Sequence, residues 1–156
     1  MQNPLAPARP GHAALRKGRV SLPNAAYLVT TVTHGRAPLF LDFPLACAAI
    51  RAFTQADRID ARLLAWVLMP DHVHWLLQLD EVRDLSSRVR WLKSTSAQAV
   101  NRLRGQQGPV WARAFHDRAV RGEDIRHMAR YIVANPLRAG LVERVGAYPY
   151  WNAAWL

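Results

Sequence analysis

Two apolar segments separated only by Pro70 and Asp71 constrain the fold of this chain more than any other feature of its sequence. Residues 63–69 (LLAWVLM) have the length and composition of a buried strand, and residues 72–79 (HVHWLLQL) predict a second strand. Because only two residues interrupt the apolar pattern, the two strands are predicted to pair as a tight antiparallel hairpin. The chain is therefore expected to contain an antiparallel sheet.

The other elements are predicted from β-branched residues, from apolar residues at helical spacing and from capping residues. Asp42 and Asp84 can each cap the first turn of a helix, and Pro136 is expected to end the last helix. An apolar stripe runs from Leu85 to Leu103 on the helix that follows Asp84. The predicted elements are a strand at 27–33, a helix from near residue 44, a helix at 85–103, a short strand within 111–121 and a helix at 124–135.

The order of the first six elements matches the split βαβ arrangement called ferredoxin-like. The expected fold class is α+β, with an antiparallel sheet, helices on one face, a second face partly free for a site, and an added C-terminal helix. Residues 20–156 are expected to form this single domain. Residues 1–19 contain three prolines and four basic residues and predict a flexible basic arm.

The charge of the chain favours a polyanionic partner. The formal net charge is +10, from 21 lysine and arginine residues against 11 acidic residues. Nearly all of the basic residues are arginine, which grips phosphate with two N–H groups and also stacks on bases. A coding bias towards arginine, alanine and proline would explain the same composition without any nucleic acid.

Other classes of protein are excluded or disfavoured. Cys47 is the only cysteine, which excludes an intramolecular disulfide and a thiolate zinc cluster. No apolar run approaches the roughly 20 residues of a membrane span, and residues 1–17 lack the apolar centre of a signal peptide. A soluble, cytoplasmic protein without a membrane partner is therefore expected.

His72 and His74 are candidate metal ligands. Residues i and i+2 of a strand point to the same face with Cα atoms about 7 Å apart, so their imidazoles can converge on one divalent ion. Val73 points to the opposite face and can anchor the strand in the core. The alternative is two polar side chains on the solvent face of a half-buried strand, because short histidine motifs also occur by chance.

Tyr131 is a candidate nucleophile, because tyrosine forms covalent intermediates in some enzymes. Asn135 lies four residues later, on the same face of the predicted helix. The ordinary interpretation of Tyr131 is an amphipathic core residue, and that of Asn135 is a helix C-cap before Pro136. The proline also biases Asn135 away from helical geometry, so the alignment of the two side chains stays open.

Basic residues that can contact DNA are found in the arm, in the helix at 85–103 and around the last predicted strand. Arg88 and Lys93 lie off the apolar stripe of that helix, as does Arg102. The cluster around the strand also contains His116 and Asp117, and a solvated charged edge is an equally good interpretation of it. The candidate DNA contacts are Arg16, Lys17, Arg19, Arg88, Lys93, Arg113, Arg118 and Arg121.

Three stretches of the chain together resemble the REP-associated tyrosine transposases, a branch of the single-tyrosine HUH transposases. They are WVLMPDHVHWLLQL (66–79), VWARAFHDRAVR (110–121) and YIVANPLRAGLV (131–142), and their order and spacing fit the family across roughly residues 20–145. The commoner family form has asparagine in place of Asp71 and an aliphatic residue in place of Trp75. Neither difference involves a proposed metal ligand.

The resemblance implies a role for each candidate residue. His72 and His74 would be metal ligands, Tyr131 the nucleophile and Asn135 a third ligand, with Mg²⁺ or Mn²⁺ as the ion. The substrate implied is single-stranded DNA folded into hairpins at repetitive extragenic palindromes, cleaved and rejoined through a 5′-phosphotyrosine. Exposed bases would stack on Trp or Arg; Trp75 and Trp91 are candidates, unless both lie in the core. The protein could act as a monomer or as a homodimer with shared active sites.

Three other functions compete with this interpretation. A catalytically inert or domesticated DNA-binding protein would not need His72, His74, Tyr131 and Asn135 together. A metal-dependent phosphodiesterase that uses water would not need the tyrosine. An RNA-binding ferredoxin-like domain would present aromatic side chains where this chain has His72 and His74.

Overall fold

The computed structural model describes residues 21–56, 61–81 and 84–155. Its strands are β1 (Ala26–Val32), β2 (Ala61–Met69), β3 (His72–Leu79), β4 (His116–Val120) and β5 (Trp151–Ala153). Its helices are α1 (Phe43–Ala56), α2 (Leu85–Arg104), α3 (Ile125–Val133) and α4 (Asn135–Arg138). The predicted arm at 1–19, with Arg16, Lys17 and Arg19, lies outside the described residues.

The described strands form one antiparallel sheet in the order β4-β1-β3-β2-β5. The predicted hairpin is confirmed, since Met69 pairs with His72 across the Pro70–Asp71 turn. The first four strands have the ferredoxin-like order, and β5 extends the sheet beside β2. The Tyr148 hydroxyl donates a hydrogen bond of 2.7 Å to the Leu68 carbonyl and fastens the tail to β2. A three-residue strand is too short to show an alternating pattern, so β5 was not predicted.

The two faces of the sheet pack against different helices. Val73, Trp75 and Leu77 of β3 pack with α1 and α2 in one hydrophobic cluster. Leu76 packs in a second cluster with residues of α3. His72 and His74 share the face of Leu76, because side chains alternate along a strand. The added helix α3 therefore covers part of the face that the sequence predicted to be free.

The helix α2 begins as predicted, with the Asp84 carboxylate accepting a hydrogen bond of 2.7 Å from the Ser87 N–H. The placement of Arg88 outside the apolar stripe is wrong, since only 1% of Arg88 is exposed. The reason is helical spacing: Arg88 lies three residues after Leu85 and four before Leu92, which are both buried. Its side chain is not on the surface where DNA would contact it.

The predicted last helix ends before Pro136, but a further helical turn follows it and contains the proline. Helix α3 ends at Val133, Ala134 keeps a right-handed helical conformation, and Asn135 begins the single turn of α4. Pro136 lies in the first turn of α4, where backbone N–H groups have no acceptor within the helix. The N–H that proline lacks therefore costs no helical hydrogen bond there. The predicted bias of Asn135 away from helical geometry is therefore overridden, because the proline starts a new helix.

Candidate active site

His72 and His74 lie side by side on β3, with ring centroids 5.0 Å apart and ring planes at 86°. Each Nδ1 atom has a hydrogen-bond partner: the Asp71 carboxylate lies 2.6 Å from that of His72, and the Thr30 hydroxyl lies 2.7 Å from that of His74. Such partners fix the orientation of an imidazole and leave Nε2 for a ligand. The pair therefore has the arrangement of two preorganised imidazole ligands.

Burial, together with the positive charges of His72 and Arg138, lowers the pKa of His74 to about 4. His74 is consequently neutral at pH 7, which is the form of histidine that binds metals. Burial raises the pKa of the neighbouring Asp71 carboxyl, but the hydrogen bond from His72 and the Arg36 guanidinium 3.4 Å away hold it below its usual value. Asp71 is thus ionised beside His72.

We expect the burial of neutral His74 to make the metal-free protein less stable in acid. The pKa of His74 falls from 6.5 in the unfolded chain to about 4 in the folded protein. The contribution of His74 to the free energy of unfolding is therefore fully present above pH 6.5 and is lost as the pH falls towards 4. At pH 5 this group alone should lower the free energy of unfolding by about 2 kcal/mol relative to pH 7.5. This loss is measured by urea denaturation in EDTA at the two pH values, for the wild type and for His74→Leu.

The His74→Leu variant should show a smaller difference between the two pH values than the wild type. The exposed His127 provides a control, because its replacement by alanine should leave the pH dependence as it is in the wild type. Equal pH dependence in wild type and His74→Leu would contradict the burial argument.

Tyr131 projects from α3, a helix that buries Met128, Ala129 and Ile132 against the sheet. About half of Tyr131 (51%) is exposed, so it is not the core tyrosine of the alternative interpretation. The Arg138 guanidinium lies over its ring, 3.9 Å from the centroid, and Arg138 Nη1 donates a hydrogen bond of 2.8 Å to the Tyr131 carbonyl. The ring is therefore accessible and held from one side by a cation.

Asn135 uses both ends of its amide within the chain. Its Nδ2 donates to the Ile132 carbonyl at 3.1 Å, and its Oδ1 accepts from Arg138 Nη2 at 2.7 Å. Arg138 therefore contacts both Tyr131 and Asn135, and its charge also reaches His74. For Asn135 to bind a metal through Oδ1, Arg138 would have to release that atom or share it. The predicted role of Asn135 as a third ligand stays a prediction.

Arg138 is the site residue that sequence reasoning missed. The available signal was its position seven residues after Tyr131 and three after Asn135, which places all three on one side of a helical segment. A helix that ends at Pro136 would not include Arg138, so the predicted element did not place Arg138 beside the other two residues. Among the described residues, no three or more His, Cys, Asp or Glu side chains form a group that could hold a metal. A metal here would need a mixed set of imidazole and amide donors, completed by water or substrate.

The residues predicted to contact DNA differ in their exposure and in their contacts within the protein. Arg118 is exposed on β4, on the face of His72 and His74, as is His116, which pairs with Thr30. Arg113 is exposed as well, and Arg121 is exposed with Glu123 and Asp124 at 3.8 and 3.5 Å. Lys93 is half-buried, with its Nζ donating to the carbonyls of Ala112 and Arg113.

The two tryptophans proposed to stack on bases also differ. Trp75 is fully buried between the sheet and the helices, so it is a core residue. Trp91 on α2 is 42% exposed and stays available to a base. In the part of the chain that the structure describes, no helix has both the length and the apolar composition needed to cross a membrane.

The model of the family described as "Transposase IS200 like" matches residues 23–135, a segment that includes His72, His74, Tyr131 and Asn135. A REP-associated tyrosine transposase of Escherichia coli K12 is 35% identical over 88 residues, which are 55% of this chain and 50% of that protein. A Haemophilus influenzae Rd protein assigned to the same group is 31% identical over 98 residues, 56% of each chain. The chain thus spans about half the length of the curated relatives it matches.

Solved structures share the fold. A REP-associated tyrosine transposase bound to a REP hairpin superimposes with a TM-score of 0.67 and 27% identity, covering 85% of this chain and 79% of that one. A Deinococcus radiodurans protein assigned as a transposase superimposes with a TM-score of 0.50 and 23% identity, covering 75% of this chain and 95% of that one. The second likeness concerns the fold alone.

Proposed function

Because this chain belongs to the family of IS200-like transposases, we propose that it cleaves and rejoins single-stranded hairpin DNA through a covalent bond to Tyr131. The observation that carries the proposal is the meeting of two elements on one face of the sheet. A half-exposed tyrosine on α3 and two restrained imidazoles on β3 are linked by Arg138, whose charge acts on His74. The solved relative bound to a REP hairpin supports this class of substrate.

The proposed reaction is a pair of balanced transesterifications. The Tyr131 oxygen attacks a phosphorus atom in line, loses its proton and becomes bonded to the 5′ phosphate. The bond from phosphorus to the 3′ oxygen breaks, and that oxygen leaves as a hydroxyl after gaining a proton. The 3′ hydroxyl of a second strand then attacks the phosphotyrosine, so the DNA chain is resealed and the Tyr131 phenol is restored. Neither step needs ATP, because the phosphodiester bond energy is kept in the intermediate.

We propose Mg²⁺ or Mn²⁺ as the ion, held by the Nε2 atoms of His72 and His74 and by the Asn135 amide oxygen. The donor set fits such an ion, since both imidazoles are oriented by hydrogen bonds through Nδ1 and His74 is neutral. When bound, the ion would polarise the scissile phosphate and offset its negative charge. The same donors also suit Zn²⁺ and Ni²⁺, so affinity alone does not identify the working metal.

One experiment separates the proposed function from its rivals. The wild-type protein is incubated with end-labelled hairpin DNA carrying single-stranded flanks and Mn²⁺, and the products are resolved on a denaturing gel. A covalent protein–DNA band supports the proposal. Cleavage without that band would indicate a phosphodiesterase that uses water, and binding without cleavage would indicate an inert DNA-binding protein.

We expect Arg138 to position Tyr131 for the attack. In Arg138→Met, the contact over the ring and the hydrogen bonds to the Tyr131 carbonyl and to Asn135 are lost, and the rate of adduct formation should fall by roughly 10- to 100-fold. Single-turnover rates at saturating DNA measure this loss without the contribution of binding. Arg138→Lys keeps the charge without the two-pronged geometry, so it should recover only part of the rate.

Arg130 provides the control for Arg138. It is an exposed arginine on α3, one residue before Tyr131, and Arg130→Met removes the same charge and a similar side chain. Equal rates for Arg130→Met and Arg138→Met would mean that Arg138 contributes only general positive charge.

A further inference from the structure

A groove of about 390 Å³ lies between α2 and the segment 108–115. Its floor includes Val89, Val110 and Trp111, which belong to the hydrophobic cluster that packs with α1 and α2. His72 and His74 face the opposite side of the sheet, as shown above. The groove is therefore separate from the candidate active site.

Three side-chain hydrogen bonds hold the wall of the groove against α2. Asn101 Nδ2 donates to the Gly108 carbonyl at 2.8 Å, Trp111 Nε1 donates to Ser96 Oγ at 2.9 Å, and Lys93 Nζ donates to the Ala112 carbonyl. The three bonds join α2 at positions 93, 96 and 101 to three residues of the segment. The groove is thus formed in advance, and a ligand would not have to order its walls.

The chemistry of the groove is apolar inside and basic at its edge. Ala97 and Phe115 line it beside the floor residues, whereas Arg90 and Arg113 are exposed at its rim. Among the described residues, no aspartate or glutamate lines the groove. An apolar floor with an aromatic ring suits a base, and two arginines suit the phosphates on either side of it.

We propose that this groove binds one unpaired nucleotide of the DNA, with the base against Phe115 and the backbone at Arg90 and Arg113. This inference rests on the proposed function, because it takes single-stranded flanks of a hairpin as the ligand. The position along the chain agrees with it: β4 begins directly after Phe115 and forms an edge of the described sheet, with Arg118 on the face of the active site. A DNA strand whose nucleotide is held in the groove can pass around this edge of the sheet towards His72.

The first test fills the groove. Ser94 is exposed and lines it, so Ser94→Trp should occupy the space of the base without disturbing the core. The probe is a fluorescent hairpin with single-stranded flanks, in which each flank nucleotide in turn is made abasic. In the wild type, one abasic position should weaken binding by about tenfold, measured by anisotropy. In Ser94→Trp, the intact probe should bind about tenfold more weakly, and the abasic change at that position should have no further effect.

Matched variants show whether the groove itself is responsible. Leu103→Trp adds the same ring to a position of α2 that is 55% exposed and lies outside the groove, and should bind like the wild type. Arg90→Gln should weaken binding more than Arg102→Gln, which removes the same charge from the same helix away from the groove. Equal losses for Arg90→Gln and Arg102→Gln, or no sensitive abasic position, would overturn the proposal.

The proposed nucleotide binding in the groove and the proposed reaction can be contradicted independently. At saturating DNA, Ser94→Trp should still form the covalent adduct, because Tyr131 lies on the other face. An adduct in every variant, together with the same abasic sensitivity in Ser94→Trp as in the wild type, would overturn nucleotide binding in the groove and leave the proposed reaction. No adduct in the wild type, together with the expected abasic pattern, would overturn the reaction and leave the groove.

Discussion

Tyr131→Phe is expected to abolish the covalent protein–DNA product while the protein still folds and binds hairpin DNA. The change removes only the hydroxyl, and the ring keeps its place against Arg138. About half of the residue is exposed, so little buried area changes and the free energy of unfolding should stay within about 0.5 kcal/mol of the wild type. Without the attacking oxygen, strand cleavage should fall roughly 10⁴-fold or more.

Tyr150→Phe is the matched control for Tyr131→Phe, since it removes a hydroxyl from a half-buried tyrosine near the C-terminal strand. It should form the adduct at the wild-type rate. The measurements are adduct yield on a denaturing gel, hairpin affinity by anisotropy and the midpoint of thermal unfolding. Persistent cleavage in Tyr131→Phe would assign the attack to water or to another residue.

The second large effect is expected from the histidine pair. His72→Ala and His74→Ala should each abolish measurable Mn²⁺ binding by calorimetry and lower the cleavage rate by roughly 10³-fold, because one imidazole and an amide hold a divalent ion weakly. Thr30→Val removes the hydroxyl that contacts His74 Nδ1 and keeps the shape of the side chain. Its expected loss in metal affinity is smaller, about 10- to 100-fold.

His116→Ala distinguishes a metal site from general loss of histidine. His116 is exposed on the same face of the sheet and pairs with Thr30, but it is not one of the proposed ligands. It should bind Mn²⁺ like the wild type and show at most a modest change in DNA affinity. Wild-type Mn²⁺ affinity in His72→Ala and His74→Ala would remove the basis for a metal at this site.

The fold was predicted well where the pattern is local. The hairpin, the capping of α2 by Asp84 and the order of the first six elements depend on residues close together in the chain, and all are found in the structure. Helix α3 ends before Pro136, close to the predicted end, but the further helical turn that the proline starts was not predicted. Strand β5 was also missed, because its pairing with β2 depends on tertiary contacts of the tail rather than on its own three residues.

The sequence by itself determined that His72 and His74 share one face, because side chains alternate along any strand. It also placed Asn135 four residues after Tyr131, whereas Pro136 left the alignment of the two side chains open. Only the tertiary structure decided that these two pairs belong to the same face of the sheet, since that depends on which side α3 packs against. It alone revealed the contacts of Thr30 with His74 and of Arg138 with Tyr131 and Asn135. Packing and long-range hydrogen bonds join residues that are distant in the chain or separated by a proline, so no local pattern of residues specifies them.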